Sequence, residues 1–181
     1  MQSTGIVRRI DELGRIVIPK EIRRTFHIRE SDLLEIFTKN SEEIILKKHS
    51  VIGQIPKFAD RYSEILSKFI SAPVLVTDKE SVVAVSGVPK REFISRKITS
   101  YIKQIMEERK NFSENENKGI KTRPIEGLDN ECLFMFPIIS NGDLCGSIIV
   151  LKNANLKNMD LKNIEKIAKI SAEFLSSQLE D

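Results

Sequence analysis

The stretch GIVRRIDELGRIVIPKEIRRTFHIR, residues 5–29, decides the fold. It carries seven basic residues (Arg8, Arg9, Arg15, Lys20, Arg23, Arg24 and Arg29) against three acids, Asp11, Glu12 and Glu21. Its Ile and Val residues interleave with charges at strand spacing, which predicts short strands over Gly5–Ile10 and Arg15–Ile18. Between them, Asp11-Glu12-Leu13-Gly14 predicts a turn, with Gly14 where a positive φ is easily adopted. Pro19 suits the first position of a helix, where its missing N–H costs nothing. That helix is expected from Lys20 to about His27, with Ile22 and Phe26 on its buried side and Arg23 and Arg24 projecting elsewhere.

Alternation through Leu33–Thr38 predicts a third strand, and Glu43–Lys48 a fourth, joined by the polar turn Lys39-Asn40-Ser41-Glu42. The order is ββαββ in about fifty residues, which is small for an independent core without a disulfide or a metal. Pairing of two copies, each lending strands to the other, is the simplest remedy, so size alone predicts an obligate dimer. Charge is uneven as well. Residues 1–29 carry seven bases and three acids, residues 30–52 three bases and five acids, and the whole chain only +3. A compact cationic patch on a nearly neutral body predicts a docking surface for a polyanion.

The segment LGRIVIPKEIRR, within STGIVRRIDELGRIVIPKEIRRTFHI, resembles the signature of AbrB-type swapped-hairpin DNA-binding domains, found in bacterial transition-state regulators and many antitoxins. The resemblance implies that two chains interleave into one small β-barrel whose arginines meet duplex DNA. Carried over by position, the contact residues are Arg8, Arg15, Arg23 and Arg24, with Arg9 at a place where the family tends to be basic. Gly14 and Pro19 match the turn and helix-start positions, whereas Gln2 stands where many members carry Lys. The chemistry agrees: a planar guanidinium suits both phosphate and the O6/N7 edge of guanine and stays charged at any relevant pH. The competing reading, surface salt bridges to Asp11, Glu12 and Glu21, leaves several arginines unmatched.

The remaining chain has ordinary globular composition, at 40% apolar and 30% charged residues overall. No stretch approaches the roughly 18 apolar residues of a membrane span, and no signal peptide is recognised, so a cytoplasmic protein is expected. Cys132 and Cys145 lie in apolar strand patterns and are expected to be core residues, with neither a disulfide nor a metal. The two histidines, His27 and His49, have no nucleophile near them in sequence, and no G-x-S-x-G, HExxH, CxxC or phosphate-binding glycine loop is present. No catalytic residue and no cofactor is therefore assigned.

Gly53 and Pro56 mark a boundary between residues 1–52 and 53–181. Phe58, Tyr62, Ile65, Leu66 and Phe69 then predict an amphipathic helix. Pro73–Asp78 and Ser81–Ser86 predict two nearly all-apolar strands, covered on both faces. A single helix is expected over Lys90–Lys110, with Ile94 and Tyr101 in its apolar stripe, followed by a loop over Asn111–Lys118 and a weak edge strand over Gly119–Pro124. Asn141-Gly142 between Cys132–Ser140 and Asp143–Leu151 is a strong hairpin signal, placing Ile138 opposite Cys145 and Cys132 opposite Leu151. The cysteines would then lie roughly 20 Å apart along the strands. A last helix is expected over about Asn158–Leu179, apolar on more than one stripe.

This order of helices around one antiparallel sheet resembles a GAF domain, making the chain α+β. Joined to an AbrB-type head, it resembles the sporulation transcription regulators of endospore-forming bacteria. The resemblance implies a DNA-binding activator and repressor in the forespore, dimeric through its head and tetrameric through the terminal helices of its GAF-like domains. The GAF fold also implies a cavity for a small-molecule effector, although Ser86-Gly87, Thr99 and Ser140-Asn141 are the only polar groups near strand ends and spell no ligand. Scaffold and core come first for this domain, with a sensor pocket second. Two alternatives to a sequence-specific regulator remain. An antitoxin that binds a protein partner would share the head but usually carries a short acidic tail, and a nucleoid-coating protein would bind random duplex as well as promoters.

Overall fold

The computed structural model describes residues 5–26, 28–30, 32–40, 43–48, 56–115, 121–153 and 160–179. Expectations for Gln2, His27, the Ser41-Glu42 half of the turn, the connector 49–55 and the start of the last helix at Asn158 lie outside the described residues. The chain divides into two compact units, Met1–His49 and Ser50–Asp181.

The head contains α1 (Lys20–Thr25) and an antiparallel hairpin of β1 (Leu34–Lys39) and β2 (Glu43–Lys48), paired from Leu34 opposite Lys48 to Lys39 opposite Glu43. Pro19 caps α1 from just outside, at φ −57° and ψ 149°, so the helix starts one residue later than its proline suggests. The first two expected strands are not strands here: Gly5–Ile10 and Arg15–Ile18 belong to no ladder. A strand takes its hydrogen bonds and its covered face from a neighbour, and one copy of the chain does not cover these segments. Val7 is 87% exposed and Leu13 74%. Phe26, expected on a buried helix face, is 61% exposed for the same reason. Among the described residues of the head, none is buried.

The tail is the reverse. It opens with α2 (Pro56–Ile70), continues through β3 (Val74–Thr77), β4 (Val82–Ser86), α3 (Lys90–Phe93), α4 (Ser100–Glu107), β5 (Phe112–Ser113), β6 (Cys132–Ser140) and β7 (Asp143–Leu151), and closes with α5 (Leu161–Ser177). The strands form one antiparallel sheet in the order β4-β3-β7-β6-β5. Side chains alternate across it with the period-2 rule of a strand. Val74, Val76, Phe134, Phe136, Ile148 and Val150 pack with Ala59, Leu66, Ala168 and Leu175 of α2 and α5. Their neighbours Leu75, Met135, Ile149 and Leu151 pack with Phe93, Ile98, Ile102 and Met106 on the other face. The result is a three-layer α+β domain, whose central strands are apolar because both faces are covered. On the second face the Thr77 and Ser147 hydroxyls, both fully buried, bond each other at 2.8 Å where their residues pair across β3 and β7.

Three details depart from the sequence expectation. Lys90–Lys110 is two helices, because Ser95 turns to φ +64° and the chain then runs beside β4, with Lys97 bridging Ser81 and Ile98 bridging Ile125. That detour buries Ile98 completely and leaves Tyr101 exposed. The edge strand is Phe112–Ser113, paired with Met135 and Phe134, rather than 119–124; the described part of that stretch, 121–124, is not a strand. Phe112, a buried aromatic in an otherwise polar run, anchors it. The hairpin turn falls at Asn141-Gly142 as expected, both at positive φ, but a bulge between Ile138 and Ile139 puts Ile138 opposite Gly146, and a second irregularity restores Cys132 opposite Leu151. Both cysteines are buried and free, and burial pushes the Cys132 thiol far up.

Asp160 caps α5, its carboxylate accepting from the Lys162 and Asn163 N–H groups, which fixes the helix start. Among the described residues, no helix is long and apolar enough to cross a membrane and no cluster of three metal-ligating side chains occurs. Gly87 links β4 to the next helix at φ +83°, and a Cβ there would stand 2.8 Å from both the Pro73 Cα and the Ser67 Oγ. Gly87→Ala is expected to destabilise the tail by about 3 kcal/mol, combining strain at positive φ with a backbone clash. Denaturant unfolding followed by circular dichroism checks it, and an unchanged midpoint would contradict the close approach.

Candidate nucleic-acid interface

The turn between the two extended segments is built around one carboxylate. Asp11 Oδ1 accepts the N–H groups of Leu13 at 3.0 Å and of Arg15 at 2.8 Å, an Asx-type turn. The backbone closes over it, with the Asp11 N–H donating to the Arg15 carbonyl (3.0 Å) and the Gly14 N–H to the Asp11 carbonyl (2.9 Å). Gly14 sits at φ +75°, a conformation that other residues adopt only at a cost. The second carboxylate oxygen, Oδ2, receives Arg15 Nε at 2.8 Å. Donation from the Arg15 backbone N–H, then from its guanidinium, holds the Asp11 carboxyl below the usual carboxylate range. A depressed value means that the latch is complete at neutral pH and is lost only as pH falls through that lowered value.

Arg8 and Arg9 precede the turn and are exposed, as are Arg23 and Arg24 in the last turn of α1. Helix carbonyls at that end favour positive charge, so these two arginines also suit their helix. The Arg23 N–H donates to the Pro19 carbonyl, and the Arg23 carbonyl accepts from the Ile28 N–H at 2.7 Å, tying the helix end to the chain that follows. Among the described residues no acid pairs with Arg8, Arg9, Arg23 or Arg24, while Arg15 pairs with Asp11. The salt-bridge reading of the basic run therefore accounts for one arginine of the five. All five sequence candidates lie at the surface; sequence reasoning placed Asp11 only in a turn and missed its grip on Arg15. An Asp two residues before Leu13 and three before Gly14 is the signal that could have found it.

The tail offers a second kind of surface. Tyr62, Ile65, Leu66, Phe69, Ile167, Ile170 and Ser171 line an apolar groove of about 280 Å³ between α2 and α5. Ile65 is 63% exposed and Phe69 73%, and Phe58, Tyr62 and Phe174 stack beside them with centroids 5.4–6.3 Å apart. The polar groups considered for an effector do not converge. Thr99 Oγ1 donates to the Arg123 carbonyl, and Gly87 is packed against Pro73, while Ser140 is buried at the far end of β6.

The family model described as stage V sporulation protein T C-terminal, transcription factor, matches residues 54–180. The chain belongs to the stage V sporulation protein T family. Over 183 aligned residues it is 38% identical to stage V sporulation protein T of Bacillus subtilis (strain 168), covering 99% of each chain. The model of the MazE antitoxin, described as antidote-toxin recognition, matches residues 7–53. The head is 63% identical over 49 residues to the transition state regulatory protein AbrB of Bacillus subtilis (strain 168), spanning 27% of this chain and 50% of that protein. Among solved structures, the cofactor binding GAF domain of the nutrient sensor CodY from Clostridium difficile aligns with a TM-score of 0.43 and 16% identity, over 66% of this chain and 83% of that one. Membership of the stage V sporulation protein T family makes this chain a transcription factor with an AbrB-like head.

The Asp11 latch gives a direct expectation. In an acid titration followed by NMR, the Asp11 carboxyl should titrate below the ordinary aspartate range, and the Leu13 and Arg15 amide shifts should move with the same midpoint. Arg15→Ala should raise that midpoint toward the ordinary value.

Proposed function

We propose that this member of the stage V sporulation protein T family binds duplex DNA sequence-specifically through Arg8, Arg9, Arg15, Arg23 and Arg24 of an intertwined head dimer. It thereby activates and represses sporulation genes from the cytoplasm, associated with the nucleoid of the forespore. The observation that carries the reading is the head itself, which exposes its apolar segments and presents five arginines, of which one is paired among the described residues. A second copy would cover Val7, Leu13, Val17 and Phe26 and would double the arginines available on one surface. Neutralising several phosphates then makes the affinity fall steeply with salt.

In this reading residues 1–52 bind DNA and dimerise, and residues 53–181 assemble a tetramer through the groove of α2 and α5. An exposed apolar face containing Ile65 and Phe69 is what a helix-to-helix contact between copies requires. A small-molecule effector of the GAF-like domain belongs to the same proposal; its chemistry is not written in the Ser86, Thr99 and Ser140 positions. The MazE match over residues 7–53 supports an alternative, an antitoxin-like head that also binds a protein partner and autoregulates. The folded tail favours the regulator.

Arg23→Ala combined with Arg24→Ala should abolish binding to duplex DNA while leaving oligomeric state and thermal midpoint unchanged. A mobility-shift assay in which the double variant binds like the parent would remove these residues from the site. Deleting residues 53–181 should leave a folded dimer with weaker affinity, because two linked heads bind more avidly than one. Sedimentation of that fragment as a tetramer would reassign the assembly to the head.

A further inference from the structure

The Asp11–Arg15 pair has a geometry that a solvated salt bridge does not need. An exposed ion pair usually contributes little, since two flexible side chains must be frozen to make it. Here the acid is already frozen: Oδ1 is committed to the Leu13 and Arg15 backbone N–H groups, so Oδ2 is aimed before the guanidinium arrives. The Oδ2 bond falls on Nε of Arg15, at 2.8 Å. That choice of nitrogen leaves the two Nη groups, the forked end of the guanidinium, without a share in the latch. An end-on fork of two parallel N–H donors is the geometry that reads guanine O6 and N7. The Arg15 side chain is 70% exposed, so the held fork stands in solvent.

A carboxylate at this position also has an electrostatic cost. Asp11 lies four residues from Arg15 and three from Arg8, both proposed DNA contacts, and its charge repels a phosphate backbone. An acid that weakens general attraction while orienting one arginine trades affinity for discrimination. Glu12 supplies the internal comparison: it carries the same charge in the same turn, and none of the three latch bonds involves it.

We propose that Asp11 is a specificity-determining positioning residue, which buttresses Arg15 through Nε so that its two Nη groups read a base edge rather than any nearby phosphate. The proposal rests on the DNA-binding reading above. Asp11→Asn isolates it, because an amide keeps one oxygen for the turn N–H groups but can present –NH₂ to Arg15 Nε, donor against donor.

The test uses the full-length protein, a duplex enriched by it from a randomised pool, and the unselected pool as random duplex. For Asp11→Asn the ratio of selected to random affinity should fall roughly five- to tenfold, toward the low end of what one oriented arginine fork contributes. Binding to random duplex should hold or tighten, since a negative charge is gone. Glu12→Gln should tighten random binding equally and leave the ratio unchanged. Arg15→Ala should lose the same discrimination, with no further loss in the Asp11→Asn, Arg15→Ala double variant. Arg15→Lys, which keeps the charge but has neither Nε nor a fork, should match Asp11→Asn and covers the case in which that variant does not fold. Equal ratios for the parent, Asp11→Asn and Arg15→Lys, or additive losses in the double variant, would overturn the positioning role while leaving the DNA-binding reading intact. A parent protein that enriches no duplex from the pool would overturn both.

Discussion

Apolar surface that one chain cannot bury is the constraint behind this molecule. Six of the seven large aliphatic side chains in residues 5–18 are left exposed by a single copy, and Phe26 and Ile36 add to them. At roughly 25 cal/mol per Å² of apolar surface removed from water, such exposure is a strong drive toward association. The arginines are threaded through the same residues, so the segment that must be covered also carries the charges that must stay uncovered. Simple alternation does not separate the two sets, since Arg8 shares its parity with Ile6 and Ile10, and Arg15 with Val17.

The tail solves the burial problem within itself. Its two cores lie on either side of one sheet, and α2 with α5 closes one face while α3 and α4 close the other. The outer side of the α2/α5 layer remains apolar and open. The two units thus leave exposed apolar surface of different kinds, an extended backbone segment in the head and a helix face in the tail. In the proposed assembly they serve two different modes of association, strand exchange and helix packing.

Much of this was legible in the sequence where the pattern is strong and local. The Asn141-Gly142 hairpin and the strands it joins come out at their predicted bounds, because a positive-φ dipeptide flanked by apolar runs admits few alternatives. Residues 90–110 were misread for an equally physical reason. Ile98 has helical spacing to Ile94 and Ile102, but its burial is won through a strand-like bridge to Ile125, a contact that local periodicity cannot reveal. Bulges are likewise invisible locally, which is why Ile138 was set against Cys145 instead of Gly146. At the candidate site, the arginines announce themselves by charge and by family resemblance. The Asp11 grip on Nε does not, since it depends on how a short side chain is first tied to the backbone.

The buried hydroxyl pair in the sheet bears on how this fold is reached. A one-residue slip of β3 against β7 would turn apolar side chains to the wrong faces, and the alternating pattern forbids it. A slip of two residues would preserve every inside-outside assignment, so hydrophobicity alone cannot reject it. It would set Thr77 against Ile149 and leave two hydroxyls unpaired in the core, at about 1–3 kcal/mol each. Thr77 and Ser147 therefore work as a proofreading pair, penalising the one misalignment that the rest of the sheet would accept.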